Sequence, residues 1–517
     1  MDILKIGKIT LALLATATPV CTSAQLRMPS VFSDNMVIQR DLPANVWGKA
    51  DAGAEIEVEF AGKTARAKAD ASGDWLATLP PMKADADGKT LTVRQKGGGS
   101  LKFSDVLVGE VWITSGQSNM QFGVGGLAKE EVSEIKKRAD NPLVREIKMT
   151  GYAGMPEPQF DIPKGSSRWR AADAGCVGEF SAIGWLFAER LQRDLGVPVG
   201  LIDTALGGSS MICWVPKESF GEYPGWKREA EKFERLAAEY DYEKELKNWS
   251  EKLMPEWEKA DAQWKREKSG ARPKRPHKPT FNTPLRYYQS PAYLFNAKIA
   301  PISKFAVRGT LWYQGENDAT AGFDVKLSKM IAAWRAAFKN PEMPFLAVQM
   351  PSYKSDWSRK RDLQFEAFRK VPHMGLANAI DTGERDDIHP KDKAPIARRL
   401  EAIALYDVYK LKGARYPYGP IFKSAELDGS SAEIEFETGG RGLAGDGPPR
   451  GFEIKTADGR WGKPAAVKIT GDSKIRLSAS DGSRITGVRY LRGAYPKPLV
   501  WLRNADGEPA FSFEFQE

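Results

Sequence analysis

Five apolar runs, VGEVWIT, VPVGLIDTA, RGTLWYQ, PFLAVQM and GLANAIDT, punctuate the middle of the chain. Between them lie helical stretches, among them SAIGWLFAERLQRDLG, FDVKLSKMIAAWRAAF and KRDLQFEAFRK. Runs with no polar alternation suit strands buried on both faces, and repeated strand–helix units wind such strands into a parallel sheet covered by helices. The pattern therefore predicts a doubly wound α/β core. In sheets of this kind the reactive groups gather in loops at the carboxyl ends of the strands.

The flanks have a different texture. Residues 25–108 (VIQRD, ANVWGKA, EIEVEFAG, KTARAKAD, LTVRQKGG) alternate apolar and polar residues between Gly, Asp and Pro turns, as in a small β-sandwich. Residues 411–517 return to that alternation in AEIEFE, GFEIKT, AAVKITG, KIRLSAS, TGVRYLR and FSFEF. The α/β domain then occupies residues 109–216 and 284–410, with a helical insertion at 217–283. Within the insertion Leu246, Trp249, Leu253, Trp257, Ala260 and Trp264 form one stripe of an amphipathic helix, expected to pack on the body of the protein rather than to serve as a ligand-contacting lid. The basic, Pro-rich KREKSGARPKRPHKP that follows reads as a solvated connection.

Residues 1–24 carry Lys5 and Lys8, a short apolar run from Ile9 to Val20, and the small residues Thr22-Ser23-Ala24. That is the order of a cleaved secretory signal, so export to a periplasm or outside the cell is expected. Cys21 raises a lipoprotein alternative, but Thr18-Pro19-Val20 is a poor sequence before a lipidated cysteine. No segment is long and apolar enough to span a bilayer. Cys176 and Cys213 are the cysteines left after the leader: one bridge or two buried thiols, not a disulfide framework. No Cys/His spacing suggests a metal site, and no cofactor is expected. The net charge of +9 is a small excess of 76 basic over 67 acidic residues, without the concentrated basic face or module that nucleic-acid binding requires.

The stretch WITSGQSNMQF ends a strand in a polar turn and delivers Ser118 to its edge. A nucleophilic hydroxyl needs a base, a group that orients the base, and donors for the oxyanion. Three histidines make the search for the base short. His277 lies in the basic connection, and His373 between a helix and a strand, where a structural role is expected. His389, in AIDTGERDDIHP, follows a strand and precedes the helix KDKAPIARRLEAIAL, which is the expected position of the base. Asp386 stands three residues before it, a spacing that lets a carboxylate reach imidazole Nδ1; Asp387 and Asp381 are its rivals. Gly207-Gly208-Ser209-Ser210 follows GLIDTA and offers a backbone donor, although alone it reads as an ordinary Gly-rich turn. Gln314-Gly315-Glu316-Asn317-Asp318 follows TLWY and offers amide side chains. Polar loops after four different strands thus converge on one sheet edge.

These blocks resemble the SGNH hydrolase superfamily. More closely, FSDNMVIQRDLPANVWGKA, GEVWITSGQSNMQF, LFNAKIAPISKFAVRGTLWYQGEND and DDIHPKDKAPIARRL resemble the sialate O-acetylesterase family of carbohydrate esterases. The resemblance implies a flavodoxin-like α/β domain between β-sandwich-like domains, and a serine esterase acting on O-acetylated sugars, first among them sialic acid 9-O-acetyl groups. Acetylated xylan or another glycan is the alternative substrate. It also implies Ser118 as nucleophile, His389 as base and then acid, and Asp386 orienting His389. The oxyanion would be held by the Ser118 and Gly208 N–H groups and an amide side chain. That amide is Asn317 on the superfamily pattern and Gln314 on the carbohydrate-esterase pattern, with Gln314 favoured. A non-catalytic glycan-binding protein and a GDSL-like lipase are the competing classes.

Overall fold

The structure, a computed structural model, describes residues 25–150, 154–281, 283–445, 447, 449–480, 482–499 and 502–517. The expected leader at 1–24 lies outside the described residues.

The N-terminal region carries β1 (Val37–Gln39), β2 (Ala44–Lys49), β3 (Glu55–Phe60), β4 (Lys63–Lys68), β5 (Asp74–Leu79) and β6 (Asp85–Gln95). One long strand, β7 (Ser100–Gly116), then runs from this region into the α/β core. Its first half pairs antiparallel with β6, for instance Val93 with Leu101. Its second half pairs in parallel with strands of the core. The sequence changes to match: exposure alternates up to Asp105, and from Val106 to Gly116 every residue is buried. The boundary expected at residue 108 therefore falls inside a continuous strand.

The core strands are the end of β7, β8 (Asn141–Lys148), β9 (Arg170–Ala172), β10 (Val199–Asp203), β11 (Gly309–Tyr313), β12 (Phe345–Val348) and β13 (Met374–Ala377). Their order is β13-β12-β11-β7-β10-β8-β9, parallel except for the antiparallel edge strand β9. The predicted buried strands are therefore present, and they form a parallel sheet. After β8 and β10 the chain moves to the other side of β7 to form β11, so the sheet's switch point lies beside β7.

Side-chain alternation sends Trp112 and Trp312 to opposite faces, since Trp312 lies opposite Ser115. Trp112 meets Phe187 of α3 (Ala182–Leu195) and donates its indole N–H to Tyr409, beyond α9 (Ala394–Ile403). Trp312 packs edge-on against Trp334 of α7 (Phe323–Ala337), which in turn neighbours α8 (Ser358–Lys370). Helices thus cover both faces, and burial of these indoles is a large part of the apolar gain that holds the sheet. The earlier helices of the domain are the single turn α1 (Ser118–Gln121) and α2 (Lys129–Arg138).

The insertion holds α4 (Pro224–Ala238), α5 (Tyr242–Asn248) and α6 (Met254–Glu267), with a turn of π-helix between the last two. Its tryptophan stripe does not pack on the body as expected. The indole N–H groups of Trp264, Trp257 and Trp249 donate to the carbonyls of Gly270, Pro273 and Pro276. Arg272 and Arg275 lie over the Trp264 and Trp257 rings. The tryptophans of the stripe are covered by the basic, Pro-rich connection itself, while Leu253 stays exposed. The fit is geometric: carbonyls three residues apart in an extended chain recur about every 9 Å. Indoles seven or eight residues apart on a helix recur about every 10–12 Å.

After α9 the chain forms two four-stranded sheets. One contains β14 (Ile421–Asp428), β15 (Ser431–Glu437), β19 (Ala466–Gly471) and β20 (Lys474–Ser478). The other contains β17 (Phe452–Thr456), β18 (Trp461–Gly462), β21 (Ile485–Tyr490) and β23 (Phe513–Gln516). The minor pair β16 (Leu443–Ala444) and β22 (Arg503–Asn504) lies beside them. The two sheets share one apolar core, with Phe436 meeting Phe513 edge-on. Ile380, from the loop after β13, belongs to this second core rather than to that of the α/β domain.

Candidate active site

Ser118 is carried past the end of β7 by a turn that only glycine permits. Gly116 has φ +122°, and a Cβ there would lie 2.1 Å from the Tyr313 carbonyl oxygen of β11. The Gln117 N–H donates to that same carbonyl at 2.9 Å, and Leu206 N–H, from the loop after β10, donates to Gly116 O at 3.0 Å. The turn that carries Ser118 is therefore bolted to both neighbouring strands, beside the switch point where ligand crevices form in open parallel sheets.

His389 lies in the loop between β13 and α9, as expected, and its Nε2 stands 2.8 Å from Ser118 Oγ. Partial burial lowers the imidazole pKa below its usual 6.5, Lys393 adds to the effect, and the Asp387 charge opposes it. A base must be neutral to accept a proton. The acid limb of kcat/KM is therefore expected below pH 6.5. A pH–rate profile on an activated acetyl ester checks this, and a limb above pH 6.5 contradicts it.

The structure differs from expectation at Asp386. Its side chain is 81% exposed, with Lys354 4.0 Å away, and it makes no hydrogen bond to His389 among the described residues. The reason is local. Asp387 Oδ1 accepts the His389 backbone N–H at 2.8 Å, closing an Asx turn that directs the neighbouring Asp386 outward. Asp381 is engaged elsewhere, in ion pairs with Arg399 and Arg503. Asp386 is thus the carboxylate of this loop left uncommitted by the turn.

The oxyanion donors also differ in part. Gly208, at φ +74°, lies on a turn that runs beside the nucleophile, since a Cβ on Gly207 would sit 3.3 Å from Ser118 Cβ. Neither the Ser118 nor the Gly208 N–H donates to a protein acceptor among the described residues, so both are free to meet a bound oxygen. Gln314, the favoured third donor, is buried, and its amide nitrogen is engaged by Ser209 O at 3.3 Å and by the Asp318 carboxylate. Burial raises the Asp318 pKa, and the carboxyl draws on nearby donors, including Met211 N–H at 2.9 Å. Gln314 therefore braces the loops, while Asn317 is exposed and donates from Nδ2 to Gly208 O at 2.6 Å. His373 contributes a backbone carbonyl to Phe345 N–H, and His277 is exposed, both away from this site.

Sequence reasoning missed Lys393. It is fully buried, donates to Asn119 Oδ1 at 2.6 Å, and lies 5.0 Å from the Phe122 ring centroid. The available signal was a lysine four residues after His389 at the start of a helix, which reads as an ordinary exposed cation until the fold is known. Among the described residues no group of His, Cys, Asp and Glu has the geometry to hold a metal ion. Cys176 and Cys213 are both free thiols, and burial pushes the Cys213 pKa far up. No described helix is long and apolar enough to cross a membrane.

Comparison with known proteins agrees with this geometry. A family model described as carbohydrate esterase, sialic acid-specific acetylesterase, matches residues 108–244 and 282–399. The rat sialate O-acetylesterase is 27% identical over 442 residues, covering 78% of this chain and 77% of the relative. The mouse sialate O-acetylesterase is 26% identical over 515 residues, covering 91% and 90%. A crystal structure of a carbohydrate acetylesterase from Xanthomonas citri superposes with a TM-score of 0.77 at 29% identity, covering 95% of this chain and 99% of that one. With Ser118 and His389 in contact at a sheet edge of the same architecture, the chain belongs to the sialate O-acetylesterase family of carbohydrate esterases.

Proposed function

We propose that this protein is an exported serine esterase that removes O-acetyl groups from carbohydrates, with the 9-O-acetyl group of sialic acid as its leading substrate. The observation that carries the reading is the 2.8 Å contact between Ser118 Oγ and His389 Nε2 beside two uncommitted backbone donors. Ser118 Oγ attacks the acetyl carbonyl carbon as His389 takes its proton. The tetrahedral oxyanion is received by the Ser118 and Gly208 N–H groups, with the Asn317 amide as the third donor. Collapse breaks the bond to the sugar oxygen, which leaves with the proton from His389. Water, deprotonated by His389, then releases acetate from the acetyl-Ser118 ester.

Asp386 is the carboxylate proposed to meet Nδ1 during turnover, because the Asx turn occupies Asp387 and two arginines occupy Asp381. Asp386→Ala is expected to lower kcat about 10³- to 10⁴-fold, and Asp387→Ala less. Steady-state kinetics on both variants decide the order, and the reverse ranking would transfer the role to Asp387.

An acidic sugar is favoured by a cation at the mouth of the site. Tyr288 lies against Gly208, its ring 3.6 Å from where a Gly208 Cβ would be, and the Arg286 guanidinium sits over that ring, hydrogen-bonded to its hydroxyl. The contacts of the Arg286 guanidinium are with Tyr288, and it forms no ion pair with a carboxylate among the described residues, which suits it to a sugar carboxylate. The test is acetate release from 9-O-acetylated sialic acid beside acetylated xylan, with the wild type and Arg286→Gln. The variant is expected to raise KM for the sialate about 10- to 100-fold and to leave xylan unaffected. Wild-type activity on xylan alone would overturn the substrate and leave the mechanism standing.

A further inference from the structure

The side chain of Asn119, after Ser118, has all its hydrogen-bonding groups engaged, and its three partners come from two segments distant from it in sequence. Asn119 Nδ2 donates to Glu316 Oε1 at 2.6 Å, from the loop after β11, and to the Ile388 carbonyl at 3.0 Å, the residue before His389. Asn119 Oδ1 accepts from Lys393 Nζ at 2.6 Å, at the start of α9. Asn119 is 1% exposed and Lys393 0%, and the ammonium lies near the Phe122 and Tyr313 rings, 5.0 and 5.8 Å from their centroids. Burying an ammonium is costly unless it is well partnered, so its placement demands an explanation.

We infer that Lys393 and Glu316 are positioning residues that act through Asn119 to hold the nucleophile turn and the general-base loop in register. This inference rests on the Ser118–His389 reading. An amide side chain has two orientations, related by a flip. Here the nitrogen must face two acceptors, a carboxylate and a carbonyl, while the oxygen must face an ammonium. The flipped amide would set Oδ1 against Glu316 and the Ile388 carbonyl, and Nδ2 against Lys393. One orientation therefore survives, and it ties the residue after Ser118 to the residue before His389. The two catalytic groups are 271 residues apart in sequence, and this amide is a direct link between their loops. Preorganisation of that kind matters because small errors in the approach of base to nucleophile lower the rate steeply.

Neither residue touches the reacting atoms, so the signature lies in kcat and not in KM. Lys393→Met keeps the stem and removes the donor. It is expected to lower kcat about 10- to 100-fold with KM within about twofold of wild type. Phosphonylation of Ser118 by a small organophosphonate should slow in parallel, while the final titratable fraction of serines stays complete. A merely structural role would instead reduce the titratable fraction and leave the rate per intact site unchanged. Asn119→Asp provides the second variant, keeping the acceptor for Lys393 and losing both donors; the same kcat loss is expected. Glu316→Ala removes the acceptor that Asn119 Nδ2 meets and is expected to lower kcat about 10- to 100-fold, as Lys393→Met does. The conservative Glu316→Gln keeps an acceptor and should restore kcat to within about threefold of wild type. Folded Lys393→Met or Asn119→Asp enzyme with wild-type kcat and phosphonylation rate would overturn the inference. If Ser118→Ala itself stays active, the site reading fails instead, so the two failures are distinguishable.

Discussion

Ser118→Ala is expected to abolish acetate release, placing kcat about four to six orders of magnitude below wild type on an activated acetyl ester. The size follows from the chemistry. Without Oγ no acetyl-enzyme ester forms, and only the oxyanion donors and substrate binding still act on the carbonyl. The fold should be unaffected, because the change removes one oxygen at the first position of a single helical turn, and the Gly116-Gln117 backbone that leads into it is held by Tyr313 and Leu206. Thermal melting of the variant beside wild type is the control. A variant that turns over within tenfold of wild type would remove Ser118 from the mechanism. Wild-type protein that binds saccharide and releases no acetate would restore the non-catalytic glycan-binding alternative. A GDSL-like lipase would reveal itself by preferring long acyl chains over acetyl.

Arg399→Met is expected to have the largest effect on stability, about 3–5 kcal/mol. Arg399 is 3% exposed in α9, and its guanidinium pairs with Asp381 at 2.7 and 2.8 Å, with Glu508 Oε2 at 2.8 Å and with the Asn378 carbonyl at 2.6 Å. A buried ion pair adds little net stability against an apolar substitute for the whole group. Removing one member is different, because Asp381 loses its bidentate partner and keeps only Arg503, while Glu508 keeps only Arg398, both carboxylates being largely shielded from water. Glu508 belongs to the C-terminal region and Asp381 to the loop that leads to His389, so this arginine joins the two. Asn378 Nδ2 adds bonds to the Pro509 and Ala510 carbonyls, and Lys497 reaches Gly383 O at 3.0 Å. The variant should therefore unfold at lower urea and also lose activity. Urea titration followed by tryptophan fluorescence, with kcat measured well below the transition, checks both parts. An unchanged midpoint would show that Arg398 and Arg503 suffice for these carboxylates.

The α/β core was legible because its strands announce themselves locally. A strand buried on both faces must be apolar throughout, and VGEVWIT, RGTLWYQ and PFLAVQM can do little else. Ser118 and His389 were legible for a related reason: each follows such a strand, and parallel topology brings strand ends together without detailed knowledge of packing. The insertion was misjudged because its tryptophan stripe fits any apolar cover, and only the folded chain shows that the cover is its own Pro-rich return. Asp386, Gln314 and Lys393 share another difficulty. Their hydrogen bonds pair residues distant in sequence or depend on the exact direction of a short turn.

The amino-acid sequence by itself determined the sheet, the edge on which chemistry gathers, and the serine and histidine delivered there, since period and turn chemistry act over a few neighbouring residues. Tertiary structure alone decided which N–H groups beside Ser118 are left without a protein acceptor among the described residues, which carboxylate the Asx turn leaves uncommitted, and that a buried lysine holds Asn119. Those outcomes depend on competition among polar groups from separate strands for the same partners, and that competition exists only once the strands are side by side.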